Sequence, residues 1–298
     1  MKVKIILVLS IFIIAGCSGQ VNDNLSEVES SPTIEASQTP KPVIPTSTLV
    51  PTASSTPSPT DTPTLTPTAT WAFHAAGPLV APILMYHHVS PDNPGRYNVN
   101  PENFENQMKR LKELGYTSIT TNLLIEAVLN GAELPERPIV ITFDDGQLSV
   151  FEHAFPIMEK YGFIGNVYIV SNYLEVEDYM GKTELLELVD AGWEVGSHSA
   201  SHADLTGEGI DLGKELGISK DTLEKTLGIK ITTLAYPFGT VNERVVNKAY
   251  NYGYYGALGV AEGVEHTRNS IFYLNRIEIF ESFDLTDFEN ILPWNEID

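Results

Sequence analysis

The chain of 298 residues has a single cysteine, Cys17, so no disulfide can form within it and the folded part must rely on its apolar core. It is also poor in cations. Eighteen Lys and Arg stand against 39 Asp and Glu, a formal charge of −21 at pH 7. That balance argues against nucleic acid and anionic polymers as partners and is compatible with neutral or cationic ones. No apolar run is long enough for a membrane-spanning helix. The nearest, Ile5 to Ala15, falls short of the thickness of a bilayer. Neither a His-Glu-x-x-His signature nor an internal repeat is found.

What is present divides the chain unevenly. Lys2 and Lys4 before Ile5–Ala15 read as a signal peptide over residues 1–16. Ile14-Ala15-Gly16-Cys17 resembles the lipobox of bacterial lipoproteins, which implies a lipidated Cys17 and a membrane anchor. The alternative is an incidental cysteine beside an ordinary cleavage site. Residues 17–77 are expected to be a disordered linker: in 41–70, 21 of 30 residues are Pro, Thr or Ser, too little apolar surface to offset ordering entropy. As a coil, such a tether of about 60 residues reaches roughly 45 Å. Residues 78–298 then form one domain. Its 15 Lys and Arg against 34 Asp and Glu give −19.

Along this domain strands and helices alternate, which predicts an α/β architecture, a distorted (β/α) barrel of seven to eight strands. Strands are expected at Ile83–Val89, near Ile139, at Ile164–Val170, Trp193–Ser197, Ile231–Tyr236, near Tyr255–Leu258 and at Phe272–Ile279. Helices are expected after the Asn100-Pro101 start, around Leu123–Leu129, Pro156–Tyr161, Thr183–Ala191, Lys214–Leu227 and Asn242–Tyr252.

The strand Ile139-Val-Ile-Thr-Phe is near-continuously apolar, as a strand covered on both faces must be. It runs into Asp144-Asp145-Gly146. Two like charges at the end of a buried strand are costly unless neutralised. A divalent cation on one would do so and leave the other free as a base. The alternative is ordinary Asp-Asp-Gly turn chemistry. A second strand ends in His198-Ser199-Ala200-Ser201-His202. Two imidazoles four apart can share an ion with a carboxylate if the second opens a helical turn; otherwise they are neutral surface histidines. A third ends in Tyr236-Pro237-Phe238-Gly239, a turn able to aim backbone N–H groups at a developing oxyanion, or simply a turn.

Together these three motifs resemble the polysaccharide deacetylases of the NodB-homology type (carbohydrate esterase family 4). Pro82-Ile-Leu-Met-Tyr-His-His further resembles the branch acting on poly-β-1,6-N-acetylglucosamine. The resemblance implies hydrolysis of N-acetyl groups on an extracytoplasmic, N-acetylated polysaccharide. Asp145, His198 and His202 would hold Zn²⁺ or another first-row ion, Asp144 would be the general base, and the Phe238 backbone N–H would face the oxyanion. Three positions depart from the family pattern. Ala235 stands where many members have an Arg that pairs with the base. Phe238 replaces Tyr, and no His follows His266, although many members have their acid near the C-terminus. Arg276 is by position the substitute partner for Asp144, against an ordinary surface ion pair. His87 or His88 remains for the acid. Neighbouring strand residues point to opposite faces, and the resemblance selects His87; both could instead be structural. Peptidoglycan, chitin oligomers and acetyl xylan are alternative substrates, and a catalytically silent glycan-binding lipoprotein is the alternative of a different class. An acidic domain would also retain a product that gains an amine at each turnover.

Overall fold

The computed structural model describes residues 70–92 and 95–296. The signal peptide, Cys17 and the linker up to residue 69 lie outside the described residues.

Seven parallel strands make the framework: β1 (Ile83–Tyr86), β2 (Pro138–Phe143), β3 (Asn166–Ile169), β4 (Glu194–Ser197), β5 (Thr233–Ala235), β6 (Gly256–Leu258) and β7 (Ile277–Glu278). Their order is β6-β5-β4-β3-β2-β1-β7, with Thr117–Ser118 paired beside the start of β2. The sheet curls. Leu274 bridges Leu258 beside one edge, and three residues later Ile277 pairs with Leu84 at the other. This is the expected (β/α) barrel, closed only by that short segment.

Among the described residues, seven α-helices connect or flank the strands: α1 (Pro101–Glu113), α2 (Thr121–Asn130), α3 (Phe155–Tyr161), α4 (Lys182–Asp190), α5 (Ser219–Leu227), α6 (Glu243–Asn251) and α7 (Leu285–Asn290). Their starts follow local chemistry. The Asn100 side chain accepts from the Glu102 N–H at 2.9 Å and Thr120 Oγ1 from the Leu123 N–H at 3.1 Å, satisfying donors that lack a partner in the first turn.

Alternate residues of β2 enter different apolar clusters. Ile139, Ile141 and Phe143 pack with Phe104, Met108 and Leu111 of α1 and Met158 of α3. Val140 packs with Ile83 and with Leu124 and Val128 of α2, in the cluster that also holds Tyr168 and Leu274. Both faces of the strand are covered, which explains its apolar run. The inner layer is tight. A Cβ at Gly196 would come within 2.3 Å of the Tyr168 ring, so that aromatic fits only over a glycine.

Several expectations need correction. Trp71–His74, placed in the linker over 17–77, is a strand antiparallel to Ala132–Pro135, so the folded unit begins before residue 78. Four residues are too few to show a period, and the partner is distant in sequence. The strand expected over Ile83–Val89 breaks at His87, and His88–Val89 pairs instead with Asn98–Val99. Of Phe272–Ile279 only Ile277–Glu278 joins the sheet. The helix over Lys214–Leu227 opens with a wide turn at Gly213–Ile218 before α5. Among the described residues, no helix is long and apolar enough to cross a membrane.

Candidate active site

Alternation along β2 puts Val140, Thr142 and Asp144 on the inner face, so Asp144 leaves the strand pointing into the curl. It is 2% exposed. Arg276, just before β7 and itself 1% exposed, meets it with two parallel bonds. Nη1 donates to Oδ1 and Nη2 to Oδ2, each at 2.7 Å. The guanidinium is fixed further by Nε donating to the Gly259 carbonyl at 2.9 Å and by the Tyr168 ring, 5.9 Å from its carbon. Burial by itself would raise the Asp144 pKa. The charge and hydrogen bonds of Arg276, together with His198 and His87, outweigh it and hold the carboxyl well below the usual carboxylate range. The substitute for the family's arginine therefore reaches Asp144 from the last strand rather than from position 235.

Asp145 follows at φ 71, a left-handed conformation that turns its carboxylate toward the histidines. Its Oδ1 is buried with no hydrogen-bond partner. His202 Nε2 lies 3.4 Å from it and His198 Nε2 3.6 Å, both beyond ordinary hydrogen-bond length. The three ligand atoms fall within 4.8 Å of one another. An orphaned carboxylate oxygen facing two imidazole nitrogens across a short gap is the arrangement a divalent cation satisfies. These residues fit a metal. His198 has the required tautomer, because Nδ1 bonds the Ala235 carbonyl at 2.8 Å and leaves Nε2 toward Asp145. Burial lowers the His198 pKa more than the two Asp raise it, so the imidazole stays neutral, the ligating form.

His202 does not open a helical turn. It sits at φ 58 and Ser199 at φ 65, so the chain doubles back between the two histidines through left-handed residues. Sequence reasoning missed what holds this loop. Buried Glu215 accepts from the Ala200 and Ser201 N–H groups at 3.1 and 2.9 Å and from the Ser201 hydroxyl at 2.8 Å. Ser219 donates to the Ser199 carbonyl at 2.9 Å. In sequence these residues read only as part of a polar helix. Phe238 stands at φ 60 with its ring 4.6 Å from that of His202. Four of the six non-glycine residues at positive φ among those described thus surround one gap. Strain of about 1–3 kcal/mol each persists where surrounding contacts enforce it.

Both candidate acids lie near the carboxylates. His87 acts electrostatically on Asp144, packs its ring 4.7 Å from Tyr97, and has a buried Nδ1 without a partner. His88 feels Asp145, while burial lowers its pKa. Since β1 ends at Tyr86, the alternation argument for choosing between them does not apply. His266, by contrast, is buried and bonds the Ala81 carbonyl at 2.9 Å, away from this group.

Known proteins share this fold. The family model described as polysaccharide deacetylase matches residues 131–257. The crystal structure of a polysaccharide deacetylase from Bacillus cereus is 30% identical, with TM-score 0.64, over 72% of this chain and 69% of that one. The chain belongs to the polysaccharide deacetylase family. This deacetylase is also similar to a poly-β-1,6-N-acetyl-D-glucosamine N-deacetylase of Staphylococcus aureus, 27% identical over 61% of this chain and 68% of the relative. A Streptococcus pyogenes deacetylase solved with acetate is 25% identical, with TM-score 0.65, over 72% of this chain and 99% of that one. Members of the family are hydrolytic N-deacetylases acting on N-acetylated polysaccharides.

Proposed function

We propose that this deacetylase removes N-acetyl groups from an N-acetylglucosamine polymer outside the cytoplasm, using a divalent ion, zinc by its donor set, held by Asp145, His198 and His202. The observation that carries the reading is the division of labour between adjacent carboxylates. Asp144 is locked in its ionised form by Arg276, while Asp145 faces two imidazoles with an unsatisfied oxygen. The ion supplies Lewis acidity, polarising an acetamide carbonyl and acidifying water enough for so weakly basic a carboxylate to accept its proton. Asp144 is the base that takes that proton, and Arg276 positions it. In this reading the backbone N–H of Phe238 donates to the oxygen that gains charge. His87 protonates the departing amine, a role suited to its unpartnered nitrogen beside Asp144. Support for the β-1,6-linked polymer is the Met85-Tyr86-His87 segment and the staphylococcal relative.

Lipidation at Cys17 would tether the enzyme to the outer face of a bacterial membrane through the Pro/Thr-rich linker. Cys17→Ser should then release the protein from membranes. The reading as a whole is tested by acetate release from β-1,6-linked N-acetylglucosamine oligomers. Release abolished by a chelator and restored by zinc is expected. Oligomers bound with no acetate released would identify a silent glycan-binding protein instead.

A further inference from the structure

Of the two imidazoles facing Asp145, one is oriented by a hydrogen bond on its own ring: His198, through the Ala235 carbonyl. Among the described residues the His202 ring has no hydrogen bond. It lies 3.4 Å from Asp145 and edge-on to the Phe238 ring. Its position is therefore set chiefly by the backbone that carries it. That backbone is strained, with Ser199 and His202 both left-handed, and it stays so only while other groups enforce it. Two buried side chains do this. Glu215, 6% exposed, accepts from the Ala200 and Ser201 N–H groups through Oε2 and from the Ser201 hydroxyl through Oε1. Ser219, at the start of α5, donates to the Ser199 carbonyl and bonds the Ser197 hydroxyl, at the end of β4, at 3.0 Å. The Ser199 hydroxyl closes the loop by accepting from the His202 N–H at 3.0 Å. The wide turn Gly213–Ile218 that delivers Glu215 is itself held in place, since a Cβ at Gly217 would come within 2.8 Å of the Tyr252 ring. Wide turns of this kind recur at functional sites.

We propose that Glu215 is a positioning residue for the metal site: by clamping residues 199–201 it keeps His202 where it can ligate, and so sets the affinity for the ion without touching it. The inference rests on the reading of Asp145, His198 and His202 as metal ligands. A loop released from two left-handed conformations presents His202 only part of the time, and the apparent affinity falls with that fraction. Hydrogen bonding is what the clamp requires. In Glu215→Gln the amide oxygen can replace Oε2 and accept from both N–H groups. Its NH2 can then donate to the Ser201 hydroxyl, which accepts as readily as it donates. Glu215→Ala leaves both N–H groups and the hydroxyl without that partner, and nothing else holds Ala200 and Ser201 in place.

The test measures zinc affinity of the full-length protein by competition with a chromophoric chelator, and urea stability of the metal-free protein alongside it. Glu215→Ala should bind zinc about 10–100-fold more weakly than wild type, the range carried by the outer partners of metal ligands. Glu215→Gln should bind it about as tightly as wild type. A merely structural glutamate would lower the urea midpoint of Glu215→Ala and leave the zinc affinity of the folded protein unchanged; that result overturns the proposal. An equal loss in Glu215→Gln overturns it too, because charge rather than the clamp would then be responsible. If Glu215→Ala does not fold, Ser219→Ala takes its place: it removes the bond to the Ser199 carbonyl, weaker zinc binding is expected, and unchanged affinity counts against the clamp. Wild type that binds no zinc, or His202→Ala that binds it as wild type does, refutes the metal site itself, so the two failures are distinguishable.

Discussion

The pair Asp144–Arg276 lends itself to a quantitative test, because both members are buried and the bonds between them are short and parallel. Replacing Arg276 by Met keeps the unbranched stem but removes the guanidinium and strands a carboxylate inside the curl. Two unit charges about 4 Å apart attract by about 4 kcal/mol at an effective dielectric of 20. Removing one member of a buried pair costs about 3–5 kcal/mol, since the other keeps its desolvation penalty. For a domain of this size that lowers Tm by roughly 6–20 °C. The pH dependence has a definite sign. Arg276 depresses the Asp144 pKa in the folded state, so the pair's stabilisation is complete above the unfolded carboxylate value and is lost as pH falls below it. The assay is urea denaturation at pH 7, with chelator present throughout, on wild type, Arg276→Met, Asp144→Asn and the double variant. Each single should lose about 3–5 kcal/mol, and the double should be no worse than either, because it leaves no charge unpaired. Additive losses, or a single variant within about 0.5 kcal/mol of wild type, would refute the reasoning.

Other predictions concern chemistry and pH. Asp145→Ala, His198→Ala and His202→Ala should each lower metal content and acetate release together; zinc occupancy at wild-type level in both His variants would remove the triad from the mechanism. Asp144→Asn should retain metal while losing about 10²–10⁴ in turnover, the usual worth of a general base, and near-normal turnover would exclude it from that role. His87→Ala should keep metal, lose a similar factor on an acetamide and far less on an activated ester, whereas His88→Ala costs less on both; the reverse ranking would make His88 the acid. Glu194 is buried where β4 begins, accepts from Thr233 Oγ1 at 2.6 Å and the Asn122 N–H at 2.8 Å, and has its pKa raised by burial. Its ionisation therefore costs stability as pH rises from the unfolded value, near 4.3, through the raised folded one. Glu194→Gln should gain stability relative to wild type between pH 4 and 7, and a gap constant across that range would count against it.

The residues that the fold gathers at the candidate site were legible in the sequence. Asp144-Asp145, His198 with His202, and Phe238 each stand where an apolar strand gives way to a turn, and strand periodicity alone aims Asp144 inward. The helix start at Asn100 was equally local, because a cap and its target N–H lie within three residues. Tertiary structure decided the rest. That Arg276 is a buried, bidentate partner rather than a surface ion pair depends on the last strand lying beside the first, a contact across 132 residues. Glu215 and Ser219 become the supports of the histidine loop only once α5 packs behind β4. Trp71–His74 becomes a strand only because Ala132–Pro135 lies beside it, and His87 leaves its strand because Asn98–Val99 captures His88–Val89. Local propensity and periodicity are properties of neighbours along the chain. Pairing, burial and electrostatic partnership are properties of neighbours in space, and for this enzyme those neighbours are far apart in sequence.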